Sequence, residues 1–257
     1  MAPEAGRRRL LILGGTAEGR ALAEAVDARL RDRYEAITAL AGATRAPAAI
    51  AGAQRIGGFG GAEGLTEHLR EQGIDCLIDA THPFAARISA HAREACEAVG
   101  TARLVLARPP WLRQVGDDWI EVADMAAARA AVAARGGRVF LTTGVKDLAD
   151  YSDLPGCRLL VRLVEAPATP LPLESCELIL ARGPFGEAAE VTLMRDHGID
   201  LLVSKASGGD ATYAKIAAAR HLGLPVVMVR RPPVEAGSRV DSVDSALAWL
   251  VRRASAP

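Results

Sequence analysis

The chain alternates short apolar runs with longer alanine-rich stretches in which apolar residues recur at helical spacing. In the first half, the apolar runs predict strands at Leu10–Leu13, Ala36–Ala41, Gln54–Ile56, Cys76–Asp79 and Arg103–Ala107. The intervening stretches predict helices at Ala21–Leu30, Gly64–Gln72 and Ala85–Val99. Strands that alternate with helices at this spacing indicate a parallel sheet with helices on both faces.

The second half repeats the same rhythm. Its predicted strands are Arg138–Leu141, Arg158–Leu163, Leu178–Leu180, Leu201–Val203 and Val226–Val229. Its predicted helices lie near Val145–Tyr151, Gly186–His197, Ala211–His221 and Asp241–Arg253. In the last of these, Leu247, Leu250 and Val251 are expected to form the apolar face.

We therefore predict an α/β protein with two Rossmann- or flavodoxin-like domains, each built on a parallel sheet, and with ligands in the cleft between them. Residues 1–108 are expected to form a dinucleotide-binding domain and residues 126–257 a substrate-binding domain. The linker, residues 109–125, contains two of the three tryptophans and is expected to be ordered, because tryptophan is costly to leave in water. Its pattern does not show whether it adds a strand to either sheet.

A glycine-rich turn connects the first strand to the first helix. Its residues are Gly14-Gly15-Thr16-Ala17-Glu18-Gly19-Arg20. Such a turn directs backbone N–H groups and a helix N-terminus at one point, which suits a phosphate. The spacing approximates the G-x-G-x-x-G dinucleotide motif, but Thr16 replaces the second glycine. The Thr16 hydroxyl can donate to a phosphate or cap the helix, and a tight turn without any ligand is the alternative.

Polar residues follow two other strands of the first half. Thr81 and His82 precede Pro83, which favours an extended backbone at His82. If the strand order is flavodoxin-like, they are expected beside the glycine turn. There they either contact a ligand, or Thr81 caps the next helix and His82 packs locally. Arg45 follows the second strand, where enzymes selective for NAD carry an acidic residue. This favours the 2′-phosphate of NADP, and an ordinary surface arginine is the alternative.

The loops that end strands in the second half are rich in basic and small residues. They are Thr142-Thr143-Gly144-Val145-Lys146, Ala181-Arg182-Gly183, Ser204-Lys205-Ala206-Ser207-Gly208-Gly209 and Arg230-Arg231. Two of the three lysines of the chain lie in these loops. An ammonium in such a loop suits a carboxylate or a phosphate, whereas a solvated lysine is the simpler alternative.

Composition excludes several other functions. The 257 residues carry 31 basic and 31 acidic side chains, which argues against a general nucleic-acid binder. The four cysteines form no C-x-x-C pair, which favours a reducing, cytoplasmic location. The apolar run after Arg7-Arg8-Arg9 is too short for a signal peptide or a membrane span. No metal-binding motif, G-x-S-x-G motif or tyrosine–lysine dehydrogenase pair is present.

Taken together, these motifs resemble the precorrin-6A and cobalt-precorrin-6A reductase family of cobalamin biosynthesis. The resemblance rests on the glycine turn, on Asp79-Ala80-Thr81-His82-Pro83-Phe84-Ala85, on Thr142-Thr143-Gly144, on the 204–209 loop and on the stretch from Val226 to Pro232. It implies reduction of precorrin-6A to precorrin-6B with NADPH. A hydride adds to one macrocycle carbon and a proton to its neighbour.

The resemblance also implies roles for residues. Residues expected to bind NADPH are Gly14, Gly15, Thr16, Glu18, Gly19, Arg20, Arg45, Thr81 and His82. Glu18, His82 or water is expected to supply the proton. Residues expected to bind the tetrapyrrole carboxylates are Thr143, Gly144, Lys146, Arg182, Ser204, Lys205, Ser207, Gly208, Arg230 and Arg231. We expect a monomer with no metal ion and only transient contacts with other enzymes of the pathway. The motifs leave open a cobalt-containing substrate and a sensor that binds NADP without turnover.

Overall fold

The computed structural model describes residues 6–42, 50–173 and 176–255. Its strands are β1 Arg8–Leu13, β2 Tyr34–Leu40, β3 Ala53–Ile56, β4 Cys76–Asp79, β5 Ala102–Leu106, β6 Asp118–Val122, β7 Gly137–Leu141, β8 Cys157–Leu163, β9 Cys176–Leu180, β10 Leu201–Lys205, β11 Pro225–Val229 and β12 Arg239–Val240. Its α-helices are α1 Ala17–Leu30, α2 Gly61–Glu71, α3 Ala86–Val99, α4 Met125–Arg135, α5 Glu187–Asp196, α6 Ala214–His221 and α7 Val243–Ala254. A 3-10 helix spans Val145–Tyr151.

The strands form two six-stranded parallel sheets, which confirms the predicted fold class. The first sheet has the order β12-β5-β4-β1-β2-β3 and the second has the order β6-β11-β10-β7-β8-β9. When the edge strands β12 and β6 are set aside and the other five strands of each sheet are numbered in chain order, both orders are 3-2-1-4-5. This is the Rossmann order, and the flavodoxin order does not occur.

The chain divides into two compact units whose limits differ from the predicted boundaries. The first unit runs to Pro109 and resumes at Pro232, and the second is Pro110–Arg231. The segment expected to be a linker contains β6, which pairs with β11 at the edge of the second sheet. Residues 232–255, expected in the second domain, instead supply β12 and α7 to the first unit.

Helix α7 belongs to the first unit because its apolar face completes that unit's core. Leu247 and Leu250 are buried with the α1 side chains against β1, β4 and β5. The Tyr34 hydroxyl donates to the Leu250 carbonyl at 2.8 Å. Val251, expected on the apolar face, is 38% exposed, and Trp249 is buried instead.

The other face of the first sheet packs against α2 and α3. Leu65 and Leu69 of α2 and Ala92 and Ala95 of α3 are buried there with Leu77. In the second unit, α5 and α6 cover one face of the sheet, around Phe140, Leu160 and Leu202. Helix α4 packs against β11 and the 3-10 helix. Each sheet therefore has helices on both faces, as a parallel sheet built from alternating strands and helices requires.

Two cysteines behave as small apolar residues in the first core. Cys76 lies in β4 and Cys96 in α3, and both side chains are buried. Burial raises the pKa of the Cys76 thiol and raises that of Cys96 to about 12, because a thiolate is poorly solvated there. Both thiols are therefore protonated at neutral pH.

Candidate active site

The first candidate site lies where the strand order of the first sheet reverses. Strands β1 and β4 are neighbours. The connection after β1 leads to α1 on one face of the sheet, and the connection after β4 leads to α3 on the other face. The carboxyl ends of two such strands leave a crevice in which Rossmann proteins bind nucleotides. The glycine turn and the Thr81–His82 loop both begin there.

The glycine turn approaches β2 too closely for a side chain at Gly14. A Cβ atom at Gly14 would lie 2.9 Å from the Thr38 Cγ2 atom, and the Gly14 amide donates to the Ala39 carbonyl at 2.9 Å. Gly15 has a φ of 106°, which favours glycine, and space is open around it. Among the described residues, the amides of Gly15, Thr16 and Ala17 donate to no acceptor. These free donors at the start of α1 suit an anionic group.

Thr16 links the two loops of this crevice. Its hydroxyl accepts from the Gly19 amide at 3.0 Å and thereby caps α1. The same hydroxyl donates to the Ala80 carbonyl at 2.7 Å. The capping alternative is therefore correct, and the hydroxyl proton is already used within the protein. A glycine at this position would lack both bonds, which explains the departure from the usual motif.

The loop after β4 is held by a buried carboxylate. Asp79 is 2% exposed, and its Oδ1 atom accepts from the Thr81 amide at 3.1 Å and from the Thr81 hydroxyl at 2.7 Å. Thr81 does not cap the next helix, because α3 begins only at Ala86. The His82 Nδ1 atom accepts from the Phe84 amide at 3.2 Å. The neutral His82 ring therefore carries its proton on Nε2.

Glu18 and Arg20 lie in the first turn of α1 and differ in their surroundings. The Glu18 carboxylate is 3.3 Å from the Arg108 guanidinium, which follows the end of β5. Arg20 is exposed. Sequence reasoning missed Arg108, although a basic residue directly after a strand was the kind of signal used for the other loops. Arg45 lies outside the described residues, so its expected role stays a prediction.

The second candidate site lies at the equivalent position of the second sheet, where β7 and β10 are neighbours. The Lys205 Nζ atom donates to the Thr143 carbonyl at 2.9 Å and to the Asp147 Oδ2 atom at 2.5 Å. The structure thus brings Thr143, Gly144 and Lys205 together and adds Asp147, which sequence reasoning missed. Lys146, one residue before Asp147, is exposed. Both lysines stand at the loop positions that the sequence indicated.

The 204–209 loop is held by two residues from other parts of the second unit. The Arg231 guanidinium donates to the Ala206 carbonyl at 2.7 Å and to the Ser207 carbonyl at 2.8 Å. The Trp111 indole N–H donates to the Gly209 carbonyl at 2.7 Å. Arg231, expected to bind substrate carboxylates, therefore directs at least two of its donors to the protein. Ser204 and Ser207 are both buried.

Arg182 and Arg230 lie on opposite sides of the second candidate site along the sheet. Arg182 follows the edge strand β9 and is 2.9 Å from the Glu165 carboxylate. Arg230 follows β11, the neighbour of β10, and is exposed. Because all strands of the sheet are parallel, the loops that carry these arginines lie along its carboxyl edge. The predicted substrate residues therefore spread along one edge and do not form a single cluster.

A buried ion pair supports the loop that carries Arg182. Arg162 and Glu190 are 6% and 2% exposed, and their side chains meet at 2.5 Å. The Arg162 guanidinium also lies 3.9 Å from the centre of the Phe185 ring. Phe185 packs against Gly183, and a Cβ atom at Gly183 would lie 3.5 Å from the Ala211 carbonyl oxygen. The loop after β9 thus reaches the segment that follows β10.

The described residues contain no group of three or more His, Cys, Asp or Glu side chains arranged to hold a metal ion. No helix among them is long and apolar enough to cross a membrane.

Comparison with known proteins identifies the family. The model of the precorrin-6x reductase CbiJ/CobK family matches residues 9–251. The chain belongs to this family. It is 47% identical over 245 residues to precorrin-6A reductase of Rhodococcus erythropolis, covering 94% of this chain and 97% of the relative. It is 43% identical over 250 residues to precorrin-6A reductase of Rhodobacter capsulatus, covering 97% and 98%.

A solved structure supports the same assignment. The solved structure of CobK precorrin-6A reductase matches with a TM-score of 0.90 and 42% identity, covering 97% of this chain and 98% of that one. A cobalt-precorrin-6A reductase of Salmonella typhimurium is more distant, with 29% identity over 256 residues and 95% of each chain covered. As a member of a CbiJ/CobK reductase family, the protein is an oxidoreductase.

Proposed function

We propose that the protein reduces precorrin-6A to precorrin-6B with NADPH in cobalamin biosynthesis. The observation that carries this proposal is the difference in identity between two groups of relatives. Those named precorrin-6A reductase are 43–48% identical to this chain, whereas those named cobalt-precorrin-6A reductase are 27–30% identical. This favours the metal-free substrate over the cobalt-containing one.

The first unit fits a dinucleotide. The free amides of the glycine turn and the N-terminus of α1 suit a pyrophosphate, and the absence of a Cβ atom at Gly14 and Gly15 permits close approach. Arg20 and Arg45 add positive charge, with Arg45 assigned to the 2′-phosphate. Thr81 and His82 contribute the opposite wall of the crevice. When bound, NADPH supplies the hydride, so the protein must mainly orient the reactants.

The second unit suits the carboxylates of the tetrapyrrole. Its basic loops carry Lys146, Lys205, Arg182 and Arg230 along the carboxyl edge of the sheet. Charge-assisted hydrogen bonds from such groups are stronger than neutral ones and would fix the macrocycle in one orientation. The proton that accompanies the hydride is assigned to His82 or to water. Glu18 is a weaker choice because its carboxylate is already engaged by Arg108.

An assay with purified protein tests this function. Precorrin-6A and cobalt-precorrin-6A, each prepared enzymatically, are added separately to protein and NADPH, and loss of NADPH absorbance is followed together with product mass. Turnover of the metal-free compound at the higher kcat/KM supports the proposal. Preference for the cobalt compound would assign the protein to the other branch. NADPH binding without turnover of either compound would instead support a sensor.

Replacement of Arg45 tests the cofactor preference. Arg45→Ala is expected to raise the KM for NADPH by about tenfold to a hundredfold, the range that corresponds to losing a hydrogen bond to a charged group. The KM for NADH is expected to stay within about twofold, because NADH lacks the 2′-phosphate. Steady-state kinetics with both nucleotides measure this. Arg31→Ala, at an exposed site after α1, is the control. Equal rises for both nucleotides would refute the assignment of Arg45.

The proposal also includes a cytoplasmic location and a monomeric state. Both are predictions from the sequence and the pathway.

A further inference from the structure

The hydrogen bonds that hold the 204–209 loop also set the direction of its amide groups. In a planar trans peptide, the N–H group points away from the C=O group of the same peptide unit. The Ser207 carbonyl, bound by Arg231, shares a peptide unit with the Gly208 amide. The Gly209 carbonyl, bound by Trp111, shares one with the Asp210 amide. Both amides therefore point away from the residues that hold their carbonyls.

These amides have no partner within the protein. Among the described residues, the N–H groups of Gly208, Gly209 and Asp210 donate to no acceptor. Gly208 and Gly209 have φ values of 64° and 69°, which let the turn present successive N–H groups. Successive backbone N–H groups in such a turn form a concavity that binds anions. Backbone donors that remain unpaired in a fold are normally satisfied by water or by a ligand.

A hydroxyl in the same turn is a further free donor. The Ser207 hydroxyl makes no hydrogen bond to any described residue. It can therefore donate to a bound anion together with the amides. Lys205, two residues earlier, adds a positive charge to the loop. The donors and the charge together select an anion.

We propose that the turn Ser207–Asp210 binds one carboxylate of the tetrapyrrole, and that Arg231 and Trp111 are positioning residues that aim its amides. The identity of the anion rests on the proposed function, because a polycarboxylate substrate supplies such groups. This changes the expected role of Arg231 from direct contact with a carboxylate to support of the loop. It also gives a role to Trp111, which lies in the segment that the sequence indicated only as a linker.

Binding without turnover tests this site, so its outcome is independent of whether the protein reduces precorrin-6A. The probe is uroporphyrin, a tetrapyrrole polycarboxylate, compared with its methyl ester by equilibrium dialysis. We expect the dissociation constant for uroporphyrin to rise about tenfold in each of four variants: Arg231→Met, Arg231→Lys, Trp111→Phe and Gly208→Ala. A tenfold rise corresponds to the loss of roughly one well-placed hydrogen bond to a charged group. NADPH affinity is expected to be unchanged in each variant.

Arg231→Lys is the decisive variant because it keeps the charge but replaces the planar guanidinium, whose Nε and Nη2 atoms each bind one carbonyl, with a single ammonium nitrogen. Lysine that restores wild-type binding would overturn the positioning role and show that the charge acts directly on the anion. Trp111→Phe keeps an aromatic ring but loses the indole N–H that binds the Gly209 carbonyl. Wild-type binding in that variant would therefore also contradict the proposal. Binding of the methyl ester as tightly as the acid, or no binding of uroporphyrin by the wild type, would refute the carboxylate site. The matched control is Arg158→Met, because Arg158 is exposed near the amino end of β8, away from the carboxyl edge that carries the turn.

Discussion

Replacing Lys205 by methionine is expected to lower kcat/KM for the tetrapyrrole by about a hundredfold. The ammonium holds the Thr143 carbonyl and the Asp147 carboxylate, and both partners of this ion pair are largely buried. Removing one partner of such a pair costs about 2–5 kcal/mol, mainly because the other charge is left unpaired. The remaining Asp147 carboxylate would also repel a polycarboxylate substrate. Steady-state kinetics with varied tetrapyrrole and saturating NADPH measure the effect.

Two companion variants separate the causes of this loss. The double variant Lys205→Met/Asp147→Asn removes the unpaired carboxylate and is expected to recover part of the activity. Lys146→Met, at an exposed neighbour, is expected to cost at most about fivefold, as a solvated charge does. A loss in Lys146→Met as large as that in Lys205→Met would contradict the central place given to Lys205.

Replacing Arg162 by methionine is expected to lower the free energy of unfolding by about 3–5 kcal/mol. The reason is that Glu190, only 2% exposed, would remain as an unpaired buried carboxylate. Chemical denaturation followed by circular dichroism measures the change. Phe185 would also lose the guanidinium that packs on its ring. The loop of Arg182 is therefore expected to become more mobile as the unit loses stability.

The double variant Arg162→Met/Glu190→Leu provides the test of this explanation. Replacing both members of a buried ion pair by apolar residues of similar size is often neutral or stabilising, so most of the lost stability is expected to return. Arg138→Met, which breaks the more exposed pair with Glu177 at 3.6 Å, is the control and is expected to cost less than about 1 kcal/mol. An equal cost in the single and double variants would show that packing, and not the unpaired charge, is responsible.

Much of the fold could be predicted because the central strands are continuous apolar runs. Each predicted strand appears in the structure, and the helices differ from their predicted bounds by a few residues at their ends. The edge strands β6 and β12 were not predicted, since β12 has two residues and β6 is only partly buried. Helix α4 was not predicted either; it begins at Met125, the last residue of the segment taken as a linker, and continues to Arg135 within the predicted second domain.

The site could be predicted only as a set of loops. Parallel strands bring their carboxyl ends to one edge, so residues after strands were correctly expected to lie there. The partners of those residues could not be predicted, because they are distant in sequence. Arg108 meets Glu18 across 90 residues, and Trp111 meets Gly209 across 98. Such pairs depend on the strand order, which a single sequence does not determine.

The division of the chain has a consequence for the order of folding during synthesis. The second unit is one continuous segment inserted into the first, and both crossing points have the sequence Arg-Pro-Pro, at Arg108–Pro110 and Arg231–Pro233. The ribosome therefore completes the inserted unit before it makes β12 and α7. Until α7 emerges, the first core lacks the buried side chains of that helix, and the Tyr34 hydroxyl lacks its acceptor at Leu250. The amino-terminal half, although made first, is thus the last to close its core.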